Sequence, residues 1–328
     1  MAEPVLSQSP GHATSRMADE VRRGLTADKP WLPCKYFYDD RGSELFEQIT
    51  RLPEYYQTRT EEALLERIAP DVIARAAPKE LVELGSGAGR KIGFLLEAMA
   101  RQGCAARLVL FDINALFVDA SARRIAARFP DADVHGVTGD FTVDLGALGP
   151  GGGRLAVFLA GTIGNLHPDD VPRFLARVAQ QLEPGDGLLV GMDLVKDVAR
   201  LEAAYNDAAG VTAAFNLNIL RHCNEAIGAD FDLDEWEHVA FYDADRAWIE
   251  MRLRARRACR VHIPDARVDR SFDAGDEIST EISCKYTRES FAAMLPGTSL
   301  ALDTWYTDDE NLFALALLRR GRAELRLA

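Results

Sequence analysis

The segment Glu83-Leu-Gly85-Ser-Gly87-Ala-Gly89 closes a short apolar run and opens a helical one. Backbone without Cβ atoms can turn sharply there and approach a bound cofactor closely. A dinucleotide loop, G-x-G-x-x-G, would carry its third glycine at position 90, where Arg90 stands instead. A diphosphate also wants a helix N-terminus clear of competing negative charge, and Glu83 lies immediately before this loop. A carboxylate at that point suits the cationic methionine end of S-adenosylmethionine. Asp112 follows the next apolar run and can accept hydrogen bonds from both hydroxyls of a ribose. Gly139-Asp140-Phe141 follows the third strand, with Asp140 placed for an adenine amino group and Phe141 for its ring. Lys91, opening the helix after the loop, completes a candidate cofactor set of Glu83, Gly85, Gly87, Lys91, Asp112, Asp140 and Phe141. A lone glycine loop is commonly only a tight turn, but acidic residues at three successive strand ends argue for a built site.

The elements that must position these groups are legible as a rhythm. Leu81–Leu84, Leu108–Phe111, Leu155–Leu159 and Leu188–Met192 are short apolar runs of buried-strand type, and helices fit Lys91–Ala100, Leu116–Phe129 and Val171–Leu182. Strands alternating with helices predict βαβ units, a parallel sheet, and ligands at the carboxyl ends of its strands. Upstream, the first dozen residues read as a disordered lead, followed by a helical pattern over Met17–Leu25. Leu45, Phe46 and Ile49 share a helical face that Pro53 should end. Thr58 and Glu61 have the spacing of a capping box at the start of a second helix carrying Ala63, Leu64, Leu65 and Ile68. The rhythm changes after about residue 198. There Ile249, Met251, Leu253 and Ala255 alternate with Glu250, Arg252, Arg254 and Arg256 as in a half-solvated antiparallel strand, and Tyr242–Arg246 precedes it as a hairpin turn.

Composition narrows the partners. Thirty-eight Lys and Arg against 51 Asp and Glu give a net charge of -13, which repels nucleic acid and anionic membrane surfaces and favours a small-molecule substrate. The five cysteines form no Cys-x-x-Cys pair, so neither a disulfide framework nor a zinc knuckle is suggested, and a reducing cytoplasm fits. The N-terminus has no apolar signal region, and no run is long enough to span a bilayer. The six histidines show no metal-ligand spacing.

More specific stretches are Lys35-Tyr-Phe-Tyr-Asp39, Ile49-Thr-Arg-Leu-Pro-Glu-Tyr-Tyr56, Phe158–Leu166, Met192–Asp197, Ala208–Asn216 and Thr280–Lys285. In these the sequence resembles the histidine Nα-trimethyltransferases of ergothioneine biosynthesis, over a span from about residue 20 to near the C-terminus. The resemblance implies an α/β fold, a Rossmann-like class I methyltransferase domain with a smaller α+β substrate-binding lobe. It implies a lead over 1–15, lobe segments at 16–60 and 198–285, the methyltransferase domain at 61–197, and a return to its sheet at 286–328. The implied reaction is three rounds of methylation of the α-amine of L-histidine by S-adenosylmethionine, giving hercynine. A monomer with no nucleic-acid or membrane partner is expected.

Carried over by position, Asn165 and Tyr205 are implied to hold the substrate carboxylate and Tyr38 to neighbour the reacting amine. Tyr55, Glu281 and Ser283 would read the imidazole, with Met251 packing beside it. Two departures from the family pattern are Ala160, where glycine is usual, and Ala88-Gly89-Arg90 in place of bulkier polar residues. Each residue also has a plainer reading. Tyr36-Phe37-Tyr38 could be core, Asn165 could complete a turn, and Met251 lies on the apolar side of its strand. Glu281 and Ser283 point to one side if the segment is extended, whereas Glu277, Glu281 and Lys285 would pair at i, i+4 on a helix. Two other functions stay open: methylation of another amino acid or aromatic amine, and a nucleotide-binding oxidoreductase, against which Arg90 stands.

Overall fold

The computed structural model describes residues 10–104 and 107–321, with side chains from residue 14 onward. Helices α1 (Pro10–Leu25), α2 (Asp40–Ile49) and α3 (Tyr56–Ala76) open the chain. Then β1 (Glu80–Leu84), α4 (Ile92–Arg101), β2 (Arg107–Asp112), α5 (Ala115–Arg128) and β3 (Asp133–Thr138) alternate, followed by β4 (Arg154–Phe158), α6 (Val171–Ala179) and β5 (Gly187–Asp193). Next come α7 (Val198–Ala203), α8 (Val211–Ile227) and the strands β6 (Trp236–Asp243), β7 (Trp248–Ala255), β8 (Cys259–Ile263), β9 (Val268–Phe272) and β10 (Glu277–Cys284). The chain ends with α9 (Arg288–Ala292), β11 (Leu300–Thr307) and β12 (Phe313–Arg320).

Two compact units emerge. The first, Gln57–Val195 with the segment from Cys284 onward, holds a seven-stranded sheet of order β11-β12-β5-β4-β1-β2-β3. Its β1, β2, β3, β4 and β5 are parallel, and β12 runs antiparallel to β5. Having run β1, β2, β3 to one side, the chain crosses to β4, so β1 and β4 flank the point where strand order reverses. Open α/β sheets of this class I, Rossmann-like kind bind ligands in the crevice at that point. Every residue of β1, β4 and β5 is buried, as expected of strands covered on both faces. Leu64, Leu65, Ile68 and Ile73 of α3 and Ile92, Leu95 and Met99 of α4 share one apolar cluster with Leu81, Leu108, Leu110, Leu155 and Leu189. At the opposite strand ends, the buried Arg154 guanidinium pairs with Glu80 and donates to the carbonyls of Gln181 and Gly149, so its charge is fully committed to structure.

The second unit, the N-terminal segment through Tyr56 with Lys196–Ser283, has a three-stranded sheet, β10-β7-β6, and a two-stranded one, β8-β9. The expected hairpin is present: β6 and β7 pair antiparallel up to Asp243 and Trp248, and Asp243 Oδ1 accepts the N–H groups of Asp245 and Arg246 in the turn. Ile249, Met251, Leu253 and Ala255 are all buried.

Local readings needed correction where a tertiary partner outweighed a local pattern. Helix α1 begins at Pro10, so residues 10–15 of the expected lead are helical, while residues 1–9 lie outside the described residues. Proline at a first helical turn costs no hydrogen bond. Helix α2 stops at Ile49, short of Pro53, and α6 stops at Ala179. Helix α3 already runs from Tyr56, so Thr58 and Glu61 lie inside it rather than forming its cap. Of the two readings of the 277–285 segment the extended one holds: Glu277–Cys284 is strand β10, and Glu277 pairs with Arg252 and Arg254 of β7.

Candidate functional site

In the first unit the expected cofactor residues gather at the carboxyl ends of β1, β2 and β3. Gly85 and Gly87 both adopt positive φ (+70° and +46°), a region that costs a side-chain-bearing residue strain, and this bends the loop back onto the end of β2. Gly87 N–H donates to Asp112 Oδ2 (2.8 Å), and Asn114 N–H donates to Asp112 Oδ1 (3.0 Å). The two Asp112 oxygens thus tie the glycine loop to the turn after β2, with the Ile113 N–H also acting on the carboxylate. Burial raises the Asp112 pKa, with the N–H bonds opposing it. Asp140 is buried and accepts from the Thr142 N–H (2.8 Å), which holds its carboxylate in place after β3. The Phe141 ring packs edge-on to Phe158 (5.2 Å between centroids) and lies beside Gly85, where a Cβ would sit 3.6 Å from its Cε1.

Glu83 is 3% exposed, and its Oε2 has no hydrogen-bond partner among the described residues. Burial pushes its pKa up to about 8; Lys91 pulls the other way, and Glu61 and Asp112 add to the rise. Lys91 pairs with Glu61, which is fully buried and accepts the Ala160 N–H on both oxygens (2.9 Å each). Gly191 makes room for that carboxylate, because a Cβ there would lie 2.1 Å from Glu61 Oε1. Glu61 has its pKa raised by the same burial. Lys91 is committed to Glu61 and lends Glu83 only its field, while Glu61 and Asp112 oppose ionisation of Glu83, and an orphaned buried oxygen is costly unless a donor or cation meets it. These residues fit S-adenosylmethionine, whose methionine end carries an ammonium and a sulfonium.

Glu61 belongs to this set and was missed by reading it as a helix cap. The available signal was its place on the apolar stripe of Leu64, Leu65 and Ile68, where a carboxylate needs a buried partner. Beyond β4, Ala160 (φ +63°) and Gly161 (φ +65°) turn the chain in two consecutive left-handed residues and deliver Asn165 at the end of the short helix Thr162–Asn165, half-buried. Where the resemblance led one to expect glycine, alanine occupies a strained conformation. The buried Lys285–Asp193 pair (3.0 Å) joins two of the stretches that carry the resemblance, giving their pairing a structural cause.

The second unit holds the other expected substrate residues. Tyr36 and Phe37 are core, but Tyr38 is half-buried, edge-on to Phe46 and Phe215 (5.7 Å each). Phe46 also meets the buried Tyr55 (6.2 Å), so Phe46 and Phe215, given no role by the sequence reading, build the aromatic group around Tyr38 and Tyr55. On β10, Glu281 is half-buried and Ser283 buried, and Tyr205 donates its hydroxyl to Ser283 Oγ at 2.8 Å. Met251 is buried on β7. Among the described residues no group of three or more His, Cys, Asp or Glu side chains could hold a metal ion, and no helix is long and apolar enough to cross a membrane.

The chain is 46% identical over 308 residues to histidine N-alpha-methyltransferase of Mycolicibacterium smegmatis, covering 94% of this chain and 96% of that one. It is 44% identical over 314 residues to the Mycobacterium tuberculosis protein of the same name, covering 95% and 97%. To ergothioneine biosynthesis protein 1 of Neurospora crassa it is 29% identical over 316 residues, 90% of this chain but 34% of that longer protein. Since residues 17–320 match its description throughout, the chain belongs to the family of histidine-specific, S-adenosylmethionine-dependent methyltransferases.

Proposed function

We propose that this protein methylates the α-amine of L-histidine three times, giving hercynine for ergothioneine biosynthesis. The observation carrying the reading is the family match, which spans both units. When bound, S-adenosylmethionine supplies a methyl group on a sulfonium, so the chain's residues have only to bind, align and manage a proton.

In the first unit, Asp112 is assigned to the ribose hydroxyls, Asp140 and Phe141 to the adenine, and Glu83 with Lys91 to the charged methionine end. Asn165 is assigned to the substrate carboxylate, to which its amide can donate. In the second unit, Tyr205 is assigned to the same carboxylate, Tyr55, Glu281 and Ser283 to the imidazole, and Met251 to packing beside the ring. The Tyr205–Ser283 hydrogen bond supports treating those two as one unit of recognition. An acceptor amine must be neutral to attack, although it is largely protonated at neutral pH. Tyr38 is assigned to relay that proton to water, its hydroxyl giving up its own proton as it takes the amine's, and its ring face favours the positive charge that accumulates with each methyl. Its half-burial beside buried Tyr36 and Phe37 supports a role distinct from core packing.

Mass spectrometry of histidine incubated with the protein and S-adenosylmethionine tests the whole reading. Trimethylated histidine, with all three methyl groups on the α-nitrogen, is expected. Methylation of another amine in competition, with histidine untouched, would return the acceptor to unknown.

A further inference from the structure

A fully satisfied polar network runs through the second unit, and none of its buried side chains has yet been given a function. Asn216 on α8 is fully buried. Its Nδ2 lies 2.9 Å from the Arg252 carbonyl and 2.8 Å from His238 Nδ1, and its Oδ1 accepts from Thr280 Oγ1 at 2.6 Å. His238 Nε2 lies 2.9 Å from the Tyr205 carbonyl. Carbonyl oxygens only accept, which fixes the arrangement. Facing Arg252 O, the amide nitrogen must be Nδ2; facing Tyr205 O, the ring nitrogen must carry the hydrogen; and His238 Nδ1 is then the acceptor of Asn216's second N–H. His238 is therefore neutral, with its proton on Nε2.

The network ends on the residues assigned to substrate. His238 holds the backbone of Tyr205, Asn216 holds β7 at the residue after Met251, and Thr280 adjoins Glu281 while lying 3.1 Å from the Met251 carbonyl. We propose that His238 is a positioning residue for substrate recognition, its neutral ring fixing Tyr205 and, through Asn216, the strands that carry Met251 and Glu281. This rests on the substrate assignments above. Protonation of His238 would set an N–H against the Asn216 N–H and break the link. Burial, the largest influence, lowers its pKa, while the Tyr205 carbonyl and Asp207 raise it. Asp207 is the charged group whose field reaches the ring, and its own oxygens accept the Val211 and Thr212 N–H groups at the start of α8. Asn216 from α8 and Leu253, paired with His238 across β7, are uncharged.

The test uses the full-length protein with His238→Phe, His238→Gln and Tyr205→Phe. Steady-state KM for histidine and kcat are measured, with calorimetric binding of S-adenosylhomocysteine as a readout separate from turnover. His238→Phe should raise KM by about tenfold or more while leaving S-adenosylhomocysteine affinity within about twofold. Glutamine can donate to Tyr205 and accept from Asn216, so His238→Gln should recover most of the loss. It should also flatten the fall of kcat/KM on the acid side relative to wild type, because titration of the substrate imidazole is common to both proteins. A KM within twofold of wild type in His238→Phe, or equal losses of KM and S-adenosylhomocysteine affinity, would overturn the proposal. If Tyr205→Phe raises KM and His238→Phe does not, the positioning role alone fails; if neither does, the substrate assignments fail with it.

Discussion

Glu83 should give up a proton when S-adenosylmethionine binds. Buried with an orphaned oxygen and pushed up to about 8, the carboxyl is about nine-tenths protonated at pH 7 in the ligand-free protein. A cation brought against it restores the ionised form, so about 0.9 proton should be released by Glu83 per cofactor at pH 7. Affinity should rise with pH accordingly, by about tenfold between pH 6 and pH 7. The same burial acts on stability. The folded protein keeps a proton that the unfolded chain loses near its ordinary value of 4.5, so the contribution of Glu83 to ligand-free stability is fully present below that pH. It is lost as pH rises toward about 8, by at most about 5 kcal/mol.

Calorimetric titration with S-adenosylmethionine in buffers of different ionisation enthalpy reads the released protons directly, as the slope of observed enthalpy against buffer enthalpy. The control is Glu83→Gln, which keeps the shape and a hydrogen-bonding side chain but has no proton to lose. Its slope at pH 7 should fall close to zero. Asp112 and Glu61 are also raised by burial, so the variant separates their share from that of Glu83. Equal slopes in wild type and Glu83→Gln, or no buffer dependence in either, would show that Glu83 does not change its protonation when the cofactor binds and would overturn the prediction.

Three further outcomes are expected. Asn165→Ala should raise KM for histidine by about tenfold or more and that for histidine amide much less, since only the acid presents a carboxylate; equal effects in steady-state assays would remove Asn165 from that role. Ala160→Gly should relieve the strain of φ +63° and stabilise the protein by about 1 kcal/mol, raising Tm by a few degrees; a lower Tm by calorimetry would show that the side chain is worth more than the strain. Glu281→Ala should lower kcat/KM for histidine and reduce the preference for histidine over tryptophan by at least about tenfold, because a site built around a polar contact rejects substrates that leave it unpaired. An unchanged ratio would make Glu281 a surface charge.

The sheet and its strand-end acids were legible because their signals are local. Strands buried on both faces read as unbroken apolar runs, and ligands meet a parallel sheet at the carboxyl ends of its strands, so Glu83 and Asp112 could be placed by counting; β3 is half-solvated, and Asp140 was placed by the Gly139-Asp140-Phe141 motif instead. Glu61 shows where counting fails. Thr58-x-x-Glu61 satisfies the spacing of a capping box, yet the helix starts earlier and the carboxylate turns inward to Lys91 and the Ala160 N–H, partners 30 and 99 residues away. Spacing along the chain cannot distinguish a side chain that folds back on its own backbone from one that finds a distant donor. Only the conflict between a charge and the apolar stripe it occupies hinted at the second.

The second unit was harder for the same reason at larger scale. Glu277, Glu281 and Lys285 fit a helix by their spacing, yet Glu277–Cys284 is a strand paired with β7, where Arg252 and Arg254 meet Glu277 across the sheet. The choice of strand over helix decides whether Glu281 and Ser283 can face one ring at all, since residues two apart share a side only on extended backbone. Asn216 and His238 carried no signal as individuals: an asparagine inside a helix and a histidine in a strand are ordinary. Their meaning lies in being each other's partner across 22 residues, with every donor and acceptor used and the ring's proton fixed by two carbonyls. A cofactor pocket at strand ends repeats a geometry that the sheet itself provides. On the assignments proposed above, the substrate residues are carried by such a long-range network, and the variants of His238 test whether specificity depends on residues that never touch the substrate.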